Sequence, residues 1–234
     1  MRALILAGGY GTRLGELTKS TPKILIEVGG IPIIDRTIHK LTEVGITEIT
    51  INTHYLSDMV TKYLISKFPN LDLRIVFEPK LLGTAGTLKS NIDWLAIDDF
   101  IVMHGDNFFT DNLFGLVKGE LGSKNLLRAC TFITNKPQDC GVFTIINANN
   151  VIGFDEKKRN STSNIANAAI YRFSKEVRSL VSNLREDEKD ISRNFLPTIL
   201  NKIELVMLRD NFIDIGTPEG LEKANLAAKT IANS

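Results

Sequence analysis

Ala3-Leu4-Ile5-Leu6-Ala7-Gly8-Gly9-Tyr10-Gly11-Thr12-Arg13-Leu14 stands near the start of the chain. A short apolar run that stops at a glycine pair predicts a buried strand emptying into a loop. Gly8, Gly9, Gly11 and Gly15 crowd that loop. Glycine lets backbone N–H groups approach an anion with no Cβ in the way. Arg13 and then Lys23, in Thr21-Pro22-Lys23, bring two cations to the same segment. Arg offers a planar fork to phosphate and Lys a movable point charge. Together they are equipment for a triphosphate. The spacing is not that of the G-x-x-x-x-G-K-[ST] loop. Nor is it the G-x-G-x-x-G dinucleotide turn, because from Gly9 the chain reads Gly-Tyr-Gly-Thr-Arg-Leu. A nicotinamide dehydrogenase built on this turn is therefore set aside.

Outward from the loop, strand-like and helix-like segments alternate. Ile31 to Val44 carries Ile34, Ile38 and Leu41 at helical spacing, with Gly45 as the stop. Ile49 to Ile51 reads as a second strand, Leu56 to Phe68 as a helix and Leu73 to Phe77 as a third strand. Phe100 to Met103 reads as a fourth, running into His104-Gly105-Asp106-Asn107. This order implies parallel pairing with right-handed crossovers. Glycine-rich or acidic residues follow the first and fourth strands, at the carboxyl edge where open α/β sheets bind ligands. The second half reads as a more antiparallel lobe, with strands over Leu127–Thr134, Val142–Ile146 and Ile165–Phe173. Helices are expected over Glu176–Leu184 and Arg193–Leu200, a late strand over Ile203–Leu208, and a final helix from Pro218 to Ala232. The two lobes are expected to share one core.

Composition bounds the function. The chain has 234 residues with 43% hydrophobic and 24% charged, ordinary for one globular domain. A net charge of +1 supplies no field for nucleic acid or an anionic membrane, so an anionic ligand must be held by local groups. Cys130 and Cys140 lie in no zinc or redox spacing and read as ordinary thiols. The N-terminal apolar run is too short for a signal peptide, and no stretch approaches the ~20 apolar residues of a membrane span. A cytoplasmic enzyme is expected.

The stretch Gly8-Gly9-Tyr10-Gly11-Thr12-Arg13-Leu14, with Leu17-Thr18 and Pro22-Lys23-Ile24-Leu25, closely resembles the signature loop of the sugar-1-phosphate nucleotidyltransferase family. Further likenesses follow in family order. They are Leu82-Gly83-Thr84-Ala85-Gly86, Gly105-Asp106-Asn107, Phe154-Asp155-Glu156-Lys157, Asn167-Ala168-Ala169-Ile170-Tyr171 and Asp214-Ile215-Gly216-Thr217-Pro218. The resemblance covers nearly the whole chain. It implies a Rossmann-like α/β fold of glycosyltransferase-A type: a mixed, mostly parallel sheet flanked by helices, with a smaller antiparallel sugar-binding lobe. It also implies a single domain over 1–234, nucleotide-binding mainly in 1–125 and sugar-phosphate-binding mainly in 126–234.

The implied reaction joins a nucleoside triphosphate to a sugar 1-phosphate and releases pyrophosphate. Leu6, Ala7, Gly8, Gly9, Gly11, Thr12 and Arg13 would wrap the triphosphate. Arg13 and Lys23 would stabilise its charge as pyrophosphate departs. Glu78, Gly83 and Thr84 would lie on the nucleotide side. Asp106 and Asp214 would hold Mg²⁺ with phosphate oxygens. Lys157 would hold the sugar phosphate, and Asn107, Gly141, Glu156, Asn167 and Asp214 would line the sugar-phosphate side. The chemistry agrees: a sugar phosphate is already an anion, so the barrier is bringing two anions together rather than removing a proton. Mg²⁺ favours a few carboxylates plus phosphates and water. An Asp after a strand is otherwise a helix cap or a turn former.

Two departures stand out. Lys158 occupies a position where the family often has Pro, so Lys158 competes with Lys157 for the phosphate. Asn-Ala-Ala replaces Asn-Ala-Gly, which tightens the approach at Ala169. Asn52-Thr53-His54-Tyr55 resembles a stretch of the guanylyl- and uridylyltransferase-like branches, and its bland role is turn hydrogen bonding. His104 reads as packing, His39 as solvated, and the run Arg185 to Asp190 as a mixed-charge surface loop.

The resemblance leans towards GTP with mannose or heptose 1-phosphate, for cell-surface glycan precursors. UTP- or dTTP-dependent enzymes, and a non-catalytic nucleotide-sugar-sensing subunit, stay open. A degenerate subunit would be expected to lose some of Arg13, Lys23, Asp106, Lys157 and Asp214, and all are present. The long members of the family continue into a β-helix where this chain ends, so neither a second acyltransferase activity nor a regulatory site on that extension is expected. A homodimer is left open.

Overall fold

Ala3, Leu4 and Ile5 have no exposed surface, and Arg2–Leu6 forms the first strand, β1. In the computed structural model, which describes residues 1–146 and 150–232, the elements follow in chain order. After β1 come α1 (Leu17–Ser20), the short hairpin β2 (Glu27–Val28) and β3 (Ile31–Pro32), and α2 (Ile33–Glu43). Next are β4 (Glu48–Thr53), α3 (Ser57–Lys67), β5 (Asp72–Phe77), α4 (Gly83–Leu95), β6 (Phe100–His104), β7 (Asn107–Phe109) and α5 (Phe114–Val117). The second half holds β8 (Leu127–Ile133), β9 (Gly141–Ile145), β10 (Val151–Glu156), β11 (Ile165–Phe173), α6 (Arg178–Ser182), β12 (Ile203–Met207), β13 (Phe212–Asp214) and α7 (Pro218–Ala232). The fold class is the expected one, a mixed, mostly parallel sheet flanked by helices, with additional small antiparallel sheets. No helix among the described residues is long and apolar enough to cross a membrane.

The chain forms two compact units that interleave along the sequence. The loop unit comprises Ile5–Leu81, His104–Leu113 and Asp210–Ser234; the strand-rich unit comprises Met1–Leu4, Leu82–Met103 and Phe114–Arg209.

In the loop unit β4 and β5 pair in parallel from Glu48↔Asp72 to Thr53↔Phe77. Ile34, Ile38 and Leu41 of α2 are fully buried, so the helical spacing read from the sequence is the face that packs. Gly45, at φ +81°, ends that helix with its N–H on the Thr42 carbonyl, a conformation glycine adopts without strain. Pro218 opens α7, as expected of a first-turn proline.

In the strand-rich unit β11 is the hub, antiparallel to β6, β8 and β9, while β10 extends β9 and β12 lies parallel to β8. Phe100 and Phe173 stack at 5.3 Å between ring centres in its core. Two buried arginines, Arg128 and Arg172, face each other across β8 and β11 and donate to the carbonyls of Leu116, Val117, Lys118, Gly119 and Glu120. They satisfy the carbonyls that the short helix α5 leaves open.

Short elements such as β7, α5 and β13 had no counterpart in the sequence expectation, and three longer stretches also differ from it. Residues 83–95 form a full helix, α4, whose first turn is the Gly83-Thr84-Ala85-Gly86 stretch. Strand β10 lies in a stretch with no expected element. The helix expected over Arg193–Leu200 is instead a π-turn over Ile191–Phe195 followed by 3₁₀ turns. Pro197 has no N–H to continue an α-helical ladder there.

Candidate functional site

The glycine loop is held from below. Ala7 N–H donates to Asn52 Oδ1 at 2.7 Å, and Asn52 Nδ2 donates to Glu78 Oε1 at 3.1 Å; Asn52 and Glu78 are both buried. A Cβ at Gly8 would lie 2.8 Å from Asn52 Nδ2, so this approach requires glycine. Gly11 sits at φ +68°, and the chain then turns through Thr12–Leu14. Thr18 closes the loop with its hydroxyl on the Gly11 and Gly15 carbonyls, at 3.0 and 3.2 Å.

Three elements of the same unit bring the charged residues together. Gly105 N–H donates to the Leu6 carbonyl at 3.0 Å, seating the Gly105-Asp106-Asn107 turn against the end of β1. Antiparallel β7 and β13 place Asp214 opposite Asn107. Ile215 N–H reaches the Asp106 carbonyl at 3.2 Å. The Lys23 ammonium donates to the Asp106 carboxylate and lies 3.7 Å from Asp214 Oδ1. Arg13 Nη2 is 3.6 Å from Asp214 Oδ2. Lys23, Asp106, Asp214 and Arg13 thus form one chain of alternating charge. Burial alone would raise the Asp106 carboxyl, but the Lys23 ammonium, and His104 after it, hold it below the ordinary carboxylate range. His104 Nδ1 is 3.9 Å from Asp106 Oδ1, so the residue read as packing also faces the carboxylate.

Gly216 makes room for this cluster, and sequence reasoning gave it no role. A Cβ there would lie 2.6 Å from Arg13 Nη2, 2.7 Å from Lys23 Nζ and 2.8 Å from Asp214 Oδ1. Its N–H also donates to Asp214 Oδ1 at 2.7 Å. No group of three or more His, Cys, Asp or Glu side chains is gathered as a metal site among the described residues. Two carboxylates that converge on one cation still offer the oxygen-only donors a hard divalent ion takes, provided phosphate and water complete its shell.

The remaining residues singled out by sequence lie in the strand-rich unit. Glu156 pairs with Gly141 across β9 and β10, and a Cβ on Gly141 would collide with the Glu156 carboxylate and the Phe154 ring. Lys157 follows with φ +53°, its N–H on the Cys140 carbonyl at 3.0 Å and its side chain exposed. Lys158 is instead paired with Asp155 at 3.1 Å. Asn167 donates to the Tyr171 hydroxyl at 2.6 Å and to Ser192 Oγ at 3.3 Å, while its Oδ1 accepts from Ala169 N–H at 3.0 Å. Ala169 is itself at φ +51°, beside the register shift in β11. Burial pushes the Tyr171 hydroxyl up to about 12. Gly83, at φ +77°, lies against the Lys189 carbonyl, and Thr84 Oγ1 accepts from Ile191 N–H at 2.8 Å. The charged run near Lys189 is therefore a surface loop whose backbone anchors the start of α4.

Comparison with known proteins adds to this geometry. Residues 2–230 match the sequence family described as nucleotidyl transferase. The "Bifunctional protein GlmU" of Methanococcus aeolicus is 31% identical over 96% of this chain, and the chain spans 54% of that relative's length. The D-glycero-α-D-manno-heptose 1-phosphate guanylyltransferase of Campylobacter jejuni is 27% identical, over 94% of this chain and 96% of its own length. A crystal structure of a putative glucose-1-phosphate thymidylyltransferase from Bacillus anthracis superposes with a TM-score of 0.88 at 28% identity, over 98% of this chain and 95% of that one.

Proposed function

The chain belongs to the nucleotidyl transferase family, and on that premise we propose that it transfers a nucleoside monophosphate from a nucleoside triphosphate to a sugar 1-phosphate, releasing pyrophosphate. The observation that carries this reading is the Arg13–Asp214–Lys23–Asp106 cluster beside the glycine loop. A phosphate oxygen of the sugar 1-phosphate attacks the α-phosphorus, and the bond from that phosphorus to the bridging oxygen of the β-phosphate breaks. No side chain need remove a proton, because the attacking group is already an anion. The backbone of Gly8 to Thr12 holds the phosphates, and Arg13 and Lys23 offset the charge that moves onto the departing pyrophosphate. Asp106 and Asp214 would hold Mg²⁺, which when bound draws the two anionic substrates together and neutralises charge on the phosphate oxygens. Glu78, with Gly83 and Thr84, belongs to the nucleotide side. For the sugar phosphate we assign Lys157, with Asn107, Gly141, Glu156, Asn167 and Asp214.

The preferred pair is GTP with mannose or heptose 1-phosphate, supported by the full-length likeness to a heptose 1-phosphate guanylyltransferase. The likeness to a thymidylyltransferase structure keeps dTTP as the second choice. A cytoplasmic location is part of the proposal. The test is pyrophosphate release with Mg²⁺ across paired nucleotides and sugar phosphates; no release in any pairing, with no nucleotide binding, would overturn the reading.

A further inference from the structure

Asn52-Thr53-His54-Tyr55 ends β4 and takes no part in the charge cluster, and its expected role is bonding within its own turn. Its side chains instead reach the glycine loop. His54 Nδ1 lies 2.6 Å from the Glu78 carbonyl, and a carbonyl oxygen only accepts, so Nδ1 carries the proton. In the neutral ring Nε2 is then an acceptor, and the Tyr10 hydroxyl donates to it at 2.7 Å. The Tyr10 ring stands edge-on to His54 at 5.1 Å and tilted to Tyr55 at 5.6 Å. Tyr55 donates its own hydroxyl to the Lys19 carbonyl at 2.8 Å. Asn52 already holds Ala7 N–H. One short segment therefore grips the loop at its entry, at its middle and beyond its far end. Leu56, directly after it, takes φ +50°, a left-handed conformation that costs a non-glycine residue energy and persists only where the surroundings impose it.

The loop has reason to need such a grip. Tyr10 is 47% exposed and stands among Gly8, Gly9, Gly11 and Gly15, residues that lose the most freedom when a backbone is fixed. We propose that His54 and Tyr55 are positioning residues, a latch that orders the glycine loop through Tyr10 and Lys19 before a nucleoside triphosphate arrives. The latch rests on the nucleotide-binding reading of that loop. Its contribution is to ordering: the loop presents its N–H groups without losing freedom at the moment of binding.

The experiment combines amide hydrogen exchange with steady-state kinetics on wild type, Tyr10→Phe, His54→Ala, the double variant and Tyr55→Phe. Peptides covering residues 8–19 should exchange faster in every variant than in wild type, with peptides away from this loop and from the segments around residues 54 and 78 unchanged. The KM for GTP with Mg²⁺, or for dTTP if GTP is not turned over, should rise about fivefold in each single variant, the worth of one neutral hydrogen bond. The sugar phosphate KM should stay within about twofold. Because Tyr10 and His54 act through each other, the double variant should be no worse than His54→Ala. Unchanged exchange over 8–19, or fully additive losses in the double variant, overturns the latch. Tyr10→Phe removes one exposed hydroxyl and keeps the ring, so it decides the matter even if His54→Ala fails to fold. Wild-type nucleotide turnover tests the function; loop exchange tests the latch.

Discussion

The Lys23 ammonium donates to the Asp106 carboxylate from a side chain that is 9% exposed, against 23% for Asp106. A cation so withdrawn from water makes the pair matter to folding as well as to the phosphate chemistry proposed for it. Removing one partner leaves the other buried without compensation, which costs about 3–5 kcal/mol in fully buried pairs. Asp106 keeps some contact with water, so Lys23→Met should lower stability by about 2 kcal/mol in urea denaturation. Turnover should be lost as well. A variant as stable as wild type would show that the pair does not hold the site together.

The depressed Asp106 carboxyl sets a pH dependence. Its folded-state pKa lies below the unfolded value of about 4, so it contributes stability above that value. That contribution is lost as pH falls through the ordinary carboxylate range and on below it. Denaturation midpoints measured from pH 6 downwards should fall less steeply in Asp106→Asn than in wild type. Parallel curves would mean that Lys23 does not hold the carboxylate ionised.

Gly216→Ala places a methyl where Arg13, Lys23 and Asp214 converge. The ends of the two long side chains can move aside, so the fold should survive with a melting temperature close to wild type. Their displacement by about an ångström should lower kcat/KM on the order of 100-fold. Near-normal turnover would show that the cluster's geometry is not what the reaction uses.

Lys157→Ala should raise the KM for sugar 1-phosphate about tenfold or more, with little change in the KM for nucleotide. Lys158→Ala should change neither, since Lys158 already pairs with Asp155. Its exposed pair is worth little to stability. The reverse result would move the phosphate contact to Lys158.

Local signals carried most of the fold. Ile34, Ile38 and Leu41 announced α2, Pro218 announced α7, and the run from Ala3 to Leu6 announced β1, because each pattern is set by neighbours in sequence. Helix α4 was hidden by its own opening, Gly83-Thr84-Ala85-Gly86, which reads as a loop; what fixes it is Lys189, whose carbonyl accepts from Ala85 N–H. Gly153 blurred β10 in the same way, since glycine inside a strand weakens its pattern. In the charge cluster, Arg13, Lys23, Asp106 and Asp214 were legible by type. The meeting of Asp214 with Asp106 depends on β13 pairing with β7, a contact between distant segments that no local pattern encodes. Gly216 and the Tyr10–His54 bond belong to the same class: each matters through what it touches.

The most direct measurement is pyrophosphate release with Mg²⁺. GTP, UTP, dTTP, CTP and ATP would each be paired with mannose, glucose, N-acetylglucosamine and heptose 1-phosphates, with Asp106→Ala run beside wild type. We expect release in a GTP pairing with mannose or heptose 1-phosphate, abolished by a chelator and by Asp106→Ala. No release in any pairing, together with no detectable nucleotide binding by the wild-type chain, would contradict the proposed function.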